Sequence, residues 1–264
     1  MDNVRDKTVM ITGGAGGIGY KFAEVLLLNG AKSVAIIDLP TSNGENAAIT
    51  LQKESGTGRV IFVACDVAKA EDLNGAFKKV VDMFGTLDIL INNAGIFNDK
   101  HKWEETIDIN LKALIRGSYL ALEHMGKYNG GKGGVIVNVS SILGLSVFFS
   151  APAYTASKYG VLGFSQALAG LYDYTGVRVL IICPGMTSTN LSDYVPERVI
   201  HFLDAEYAEQ STEQFQPIQS VDNVAAALLD LIEKGKNGAA WVSEHNQPPY
   251  AVDFPHYSTR SLPV

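Results

Sequence analysis

Tyr154 and Lys158 set a phenol and an ammonium four residues apart, and Ser141 sets a hydroxyl thirteen residues before the phenol. On a helix, a four-residue step keeps two side chains on one face, about 6 Å apart along the axis. Phenol and ammonium are both proton-carrying groups, so the chemistry open to such a set is acid–base work. Spacing alone does not establish it. Tyr128 and Lys132 share the interval, but they flank Asn129-Gly130-Gly131, a loop in which it has no facial meaning. Serines also end strands and tyrosines also line cores, so the rest of the chain must decide.

The elements that would position these groups alternate in type. Lys7–Ile11 is a short apolar run that stops at Thr12-Gly13-Gly14-Ala15-Gly16-Gly17-Ile18-Gly19. Apolar residues then recur at helical spacing (Ile18, Phe22, Val25, Leu26) until Gly30. Val34–Ile37 reads as a second buried strand ending at Asp38, which completes a βαβ unit. The pattern predicts further strands over Val60–Cys65, Leu87–Ile91, Val135–Val139, Val177–Cys183 and Ala239–Val242. Helices are predicted from near Ser42, over Ala70–Phe84, over Glu104–Met125, around Tyr154 and over Val221–Lys234. Residues 186–220 are polar and aromatic with weak periodicity, a loop-and-helix excursion, and residues 245–264 read as an irregular tail rich in proline. No linker or repeat divides the chain. Residues 1–264 are therefore expected to form a single α/β domain, a doubly wound parallel sheet of the Rossmann type with helices on both faces.

Ligands of such sheets bind beyond the carboxyl ends of the strands. Gly13, Asp38, Asp66, Asn92 and Ser141 all follow predicted strands, an agreement that scattered motifs would not produce. The glycine-rich turn after the first strand lets backbone amides approach a pyrophosphate at the positive end of a helix. Its spacing, Thr12-Gly13-x-x-x-Gly17-x-Gly19, is not the six-residue G-x-G-x-x-G form. Asp38 either accepts hydrogen bonds from an adenosine ribose, repelling a 2′-phosphate and favouring NAD over NADP, or caps the next helix. Asp66 with Val67 either holds an adenine edge or makes a turn. Asn92-Asn93-Ala94-Gly95 permits close backbone approach on the nicotinamide side, or is simply a turn. Asn110, inside a helical pattern, reads most simply as solvent-facing or locally bonded.

Composition narrows the classes of function. Hydrophobic content of 47% with 19% charged residues supplies ample core, and a net charge of −7 argues against nucleic acid as a partner. Cys65 and Cys183 lie far apart inside apolar runs, as reduced and buried thiols do. No run approaches a membrane span or a secretory signal, so a cytoplasmic location is expected.

Taken together, these residues resemble the short-chain dehydrogenase/reductase family over nearly the full length. The likeness is carried by Thr12-Gly13-x-x-x-Gly17-x-Gly19, Asp66-Val67, Asn92-Asn93-Ala94-Gly95, Asn110, Ser141, Tyr154-x-x-x-Lys158 and Pro184-Gly185-x-x-x-Thr189. Trp103–Asn110 and Tyr128–Gly131 are similar to the 15-hydroxyprostaglandin dehydrogenases, and Lys236–Trp241 with the tail to insect alcohol dehydrogenases. The resemblance implies that Tyr154 is the general base in oxidation and the general acid in reduction, with Lys158 binding the nicotinamide ribose and lowering the phenol's pKa. Ser141 would hold the substrate oxygen, and Asn110 would help relay the proton through water. Gly13, Gly17, Ile18, Gly19, Asp38, Asp66, Val67, Asn93, Gly95, Pro184, Gly185, Thr187 and Thr189 would line the NAD site with Tyr154 and Lys158. No metal is called for.

The expected function is oxidation of a lipophilic secondary or primary alcohol to its carbonyl with NAD. The alternatives are carbonyl reduction with NADH and a non-catalytic ligand-binding or storage protein. Ala151 stands where the prostaglandin enzymes carry a glutamine, three residues before the tyrosine. The segment Leu145–Phe149 predicts an apolar pocket, with Val147, Phe148, Ala151 and Met186 as substrate contacts beside Ser141 and Tyr154. Its alternative is ordinary packing. Residues 186–220, with Tyr194, Phe202, Tyr207 and Phe215, would form a lid, and the helices over Glu104–Met125 and Ala153–Tyr174 would pair subunits into a homodimer or homotetramer.

Overall fold

Short aliphatic runs alternating with helices leave little choice but a sheet covered on both faces. The computed structural model describes residues 3–193 and 195–262 and contains one eight-stranded sheet. Its strands are β1 (Thr8–Thr12), β2 (Ser33–Asp38), β3 (Val60–Ala64), β4 (Ile89–Asn92), β5 (Gly134–Val139), β6 (Val177–Pro184), β7 (Ala240–Ser243) and β8 (Tyr250–Val252). They lie in the order β3-β2-β1-β4-β5-β6-β7-β8. The helices are α1 (Gly17–Leu28), α2 (Gly44–Ser55), α3 (Ala70–Phe84), α4 (Trp103–Ile107), α5 (Leu114–Met125), α6 (Pro152–Ala169), α7 (Tyr172–Thr175), α8 (Val195–Arg198), α9 (Ala205–Thr212) and α10 (Val221–Lys234).

Strand side chains alternate between two cores. Ile11, Ile36 and Ile91 face Phe22 and Leu26 of α1 and Leu228 and Leu231 of α10. Met10, Ile37 and Leu90 face Phe77 of α3, Leu122 of α5 and Leu168 of α6. Because both faces are covered, the strands read as continuous apolar runs instead of alternating ones. The order reverses between β1 and β4, and that crevice is where a sheet of this kind binds ligands.

Two features differ from the sequence reading. The tail is not wholly irregular: β8 pairs antiparallel with β7 and covers what would be the sheet's open edge. Prolines at positions flanking it masked a three-residue strand with no periodicity of its own. The expected helix over Glu104–Met125 is broken by a π-helical turn over Asp108–Ala113 between α4 and α5, a feature that often marks a functional position. Residues 186–220 hold α8, α9 and a single turn at Glu213–Phe215, with the neck closed by Gln219 N–H donating to the Met186 carbonyl. Tyr194 lies outside the described residues.

A buried polar network fixes how α5 and α6 seat on the sheet. The Asn92 side-chain amide donates to Ser118 Oγ and to Asn138 Oδ1, and the Asn138 amide donates to Ser165 Oγ, all at 2.9–3.0 Å. Gly117 makes room, since a Cβ there would lie 2.6 Å from Asn92 Oδ1. Truncating the central member takes one hydrogen bond from each of two buried partners, Asn92 and Ser165, at about 1–2 kcal/mol apiece. Asn138→Ala is therefore expected to lose roughly 2–4 kcal/mol of stability in urea unfolding, and a loss below about 1 kcal/mol would contradict this account.

Candidate active site

The strand ends at the β1–β4 reversal open into a cleft of about 690 Å³. One half is floored by the turn from β1 into α1. Gly13 has φ +66°, and a Cβ on Gly19 would lie 2.1 Å from the Gly13 carbonyl, so α1 meets the strand too closely for any side chain. Gly16 faces open space, and the start of α1 presents its backbone amides to the cleft. Asp38 completes this half. Its Oδ2 accepts from Ala15 N–H at 2.9 Å and its Oδ1 from Leu39 N–H at 2.8 Å, leaving further lone pairs of both oxygens for a ligand. Ile18, Asp66, Val67 and Asn93 line the same half. The Asn93 side chain is already spent: its amide donates to the Thr12 and Gly13 carbonyls and clamps β4 to the turn.

The other half is built at the ends of β5 and β6. Ser141 follows β5 with its Oγ accepting from Leu143 N–H. Ser140 Oγ donates to the Lys158 carbonyl at 2.9 Å, drawing α6 against the loop. Tyr154 and Lys158 therefore face one another from successive turns, with the ammonium 5.5 Å from the phenol ring's centre. Tyr128, by contrast, falls in a single turn over Lys127–Asn129, where its ring stacks on Tyr174, and Lys132 lies in irregular chain beyond it.

Burial governs the charges. It pulls Lys158 down to about 8, and among the described residues no carboxylate opposes it; the Lys158 Nζ donates to the Val139 carbonyl at 3.1 Å. Burial pushes the Tyr154 phenol up to about 12, against the pull of the Ser141 hydroxyl, while the Asp99 carboxylate adds to the rise. The sequence reading has the lysine lowering the phenol. Here the ammonium is turned onto a backbone carbonyl, and desolvation prevails. Activating the phenol requires positive charge placed closer to it. Cys183, beside Lys158, is buried and pushed up to about 12, which makes it an inert thiol.

Gly95, Pro184, Gly185, Met186, Thr187 and Thr189 join the two halves along the cleft wall. Thr187 Oγ1 donates to the Gly185 carbonyl and accepts from Gln219, so it is fixed in place. Asn110 is not solvent-facing: it is 1% exposed and stands behind Gly95. Its side chain grips Ile96 by both backbone groups and donates to Ser157 Oγ. Phe148 lines the cleft, whereas Val147 is 75% exposed and Ala151 packs inside a cluster with Phe97, Leu143 and Phe148. A loop without periodicity gives no signal for which of three neighbours turns inward. Phe97, whose ring lies 4.8 Å from that of Tyr154, and Leu143 were missed for the same reason.

Asp99 was also missed. Pro152 opens α6 and Ala151 before it has no side chain to cap with, so the amides of Ala153 and Tyr154 need an acceptor from elsewhere. Asp99 supplies both, at 2.6 and 3.0 Å. The uncapped Ala151-Pro152 start signals that an acceptor is needed, without saying which residue supplies it.

The fit to a dinucleotide is good: an amide-lined turn, a carboxylate with spare lone pairs, and a buried cation without a carboxylate partner. The family model for short chain dehydrogenase matches residues 7–199. The chain is 42% identical over 242 residues to the 15-hydroxyprostaglandin dehydrogenase (NAD+) of Rattus norvegicus, covering 90% of each. It is 32% identical over 243 residues to alcohol dehydrogenase 1 of Ceratitis cosyra, covering 91% of this chain and 93% of that protein. Among solved structures, the NADPH-dependent 3-quinuclidinone reductase from Rhodotorula rubra superposes with a TM-score of 0.77 at 26% identity, over 92% of this chain and 91% of that one.

The Lys158 charge leaves a signature in stability. Between about pH 8 and 10.5 the unfolded chain holds a proton that the folded chain has released, so stability rises with pH there and a constant penalty remains below. Lys158→Met removes about 3 kcal/mol of penalty and orphans one carbonyl at about 1 kcal/mol. The variant is expected to be more stable than the parent by about 2 kcal/mol near neutrality, with the gap closing towards pH 10.5. Denaturant melts across that range test it, and equal stability near neutrality would refute it.

Proposed function

The chain belongs to the short chain dehydrogenase family, and within it we propose an NAD-dependent enzyme that oxidises a lipophilic secondary or primary alcohol to its carbonyl. The observation that carries this reading is the Tyr154 phenol, which stands where the amide-lined cleft meets a pocket of Phe97, Leu143, Phe148, Met186 and Phe215. The NAD-dependent relative at 42% identity supports the choice of cofactor, as does Asp38, whose charge would repel a 2′-phosphate. NAD, when bound, supplies a hydride acceptor and, in its oxidised form, a positive charge.

Each residue then has a task. Gly16 and Gly17 bind the pyrophosphate through backbone amides, while Gly13, whose own N–H is held by the Ile37 carbonyl, shapes the turn, and Asp38 accepts from the adenosine ribose. Asp66 and Val67 border the adenine, while Thr187 and Thr189 stand on the carboxamide side. Lys158, which has spare N–H donors and no anionic partner, binds the second ribose. Ser141 holds the substrate oxygen, and Tyr154 takes the hydroxyl proton once positive charge lies close enough to lower its pKa. Asn110 serves by holding Ile96, which keeps the strand-end backbone pressed against the site. The apolar walls exclude water, so these interactions act in a low dielectric. Reduction runs through the same groups with Tyr154 as the acid.

The enzyme acts as a dimer or tetramer built on the outer faces of α4, α5 and α6, where Trp103, Tyr119 and Tyr159 are exposed. Sedimentation of the purified chain as a monomer at micromolar concentration would remove this part of the reading.

With NAD and a panel of alcohols, NADH formation is expected for lipophilic secondary alcohols above short or charged ones. Tyr154→Phe keeps the ring and loses the proton acceptor, so kcat should fall roughly 10²–10⁴-fold with NAD affinity nearly unchanged. Turnover within a few-fold of the parent would sink the assignment.

A further inference from the structure

Asp99 has two attachments. Its carboxylate, buried in the fold, accepts from Ala153 and Tyr154, the two amides at the start of α6 that have no partner within the helix. Its backbone looks the other way: Asp99 N–H and Lys100 N–H both donate to the Arg198 carbonyl at the end of α8, at 2.8 and 3.2 Å. Arg198 in turn donates through Nη1 to the carbonyls of Asn190 and Leu191, which line the cleft. A parallel tie joins Ile200 N–H to the Ser150 carbonyl. Two residues before Asp99, the Phe97 ring packs on the Tyr154 ring itself. The segment over residues 97–100 thus touches Tyr154 by ring and amide, and the lid by backbone.

Resting on the reading of Tyr154 as the proton acceptor, we propose that Asp99 is a positioning residue that couples the lid, through the end of α8, to the placement of the Tyr154 phenol. A carboxylate suits the task because it accepts two N–H groups at once and complements the positive end of an eighteen-residue helix. An amide at the same place keeps one acceptor oxygen and turns an NH₂ towards the second donor. When α8 settles, its end carbonyl fixes the Asp99 backbone; the carboxylate fixes the first turn of α6; and the phenol is held over the substrate oxygen. Small displacements there matter, since a misplacement of about 1 Å costs on the order of 10² in rate.

The test compares the parent with Asp99→Asn and Asp99→Ala, using a secondary octanol with NAD and the matching ketone with NADH. NAD affinity is measured separately by fluorescence titration, and amide hydrogen exchange is followed with no substrate present. The expected result is a kcat lowered about 10²-fold in Asp99→Ala and by less in Asp99→Asn, with NAD affinity within about twofold of the parent. Exchange should quicken about tenfold at both residues 153–157 and residues 198–203, and not in β1 or β4. If Asp99→Ala fails to fold, Asp99→Asn carries both measurements. Parental kcat in Asp99→Asn, or faster exchange at the start of α6 with the lid unchanged, overturns the proposal. A parent inert in both directions sinks the proposed function, and the exchange measurement still decides the coupling.

Discussion

A buried ammonium that has no counterion among the described residues sets the terms for this molecule. Lys158 sits 4% exposed, with burial holding its pKa far below the ordinary lysine value and a backbone carbonyl as its partner. Such a group is tolerated only where the surroundings cannot relax around it, because any movement that let water in would lower its energy. The structure meets that condition from several sides. Gly95 closes to within 3.7 Å of Nζ measured from its would-be Cβ, the Lys158 carbonyl is tied to Ser140, and Val139 ends a strand paired on both sides. The unfavourable burial leaves N–H donors of the cation unspent, so under the proposed function stability lost at this residue is binding gained at the same residue.

Rigidity around it is supplied by polar contacts as much as by apolar ones. Strands β4 and β5 carry Asn92 and Asn138 in register, and these bind hydroxyls from α5 and α6. An aliphatic core would hold the helices as tightly but would allow them to slide. Directional bonds set the height of α6 along the sheet, and hence where Tyr154 stands relative to Ser141. The same division holds one layer out, where Asn93 and Asn110 spend their side chains on backbone groups instead of on a ligand. Asparagine recurs here because one side chain both donates and accepts, as a strand-end backbone requires.

What was legible in the sequence was whatever repeats or ends a repeat. Periodicity located the strands and helices, and the polar residues just beyond strand ends could be singled out because buried strands are otherwise unbroken in character. The same logic separated Tyr154 and Lys158 from Tyr128 and Lys132. Asp99 was illegible because its partners lie more than fifty residues away and a lone aspartate after a strand looks like a turn. Val147 and Phe148 could not be told apart, since their loop has no period to say which side chain faces in. The balance of forces on the Tyr154 phenol was not legible for a third reason. A neighbouring charge can be inferred from helical spacing, but the depth of burial and the direction of an ammonium depend on the assembled site.

The two halves of the cleft differ in how they are made, and this bears on what selection can change. The amide-lined half is backbone, held by glycines and by Asn93, and almost any substitution there disturbs the sheet. The apolar half takes Phe97 from beyond β4, Leu143 and Phe148 from beyond β5, and Phe215 from the lid, with Phe148 and Phe215 meeting edge to face at 5.0 Å. Three independent segments thus define one pocket, and none of them carries a sheet hydrogen bond. Its shape can drift while the residues of the other half stay fixed, which is how one scaffold comes to serve many substrates. The link through Asp99 limits that freedom. A lid that must also hold the first turn of α6 cannot be remodelled for a new substrate without disturbing the phenol, so changes of specificity should concentrate in Phe148, Met186 and Phe215, away from the stretch that ends at Arg198.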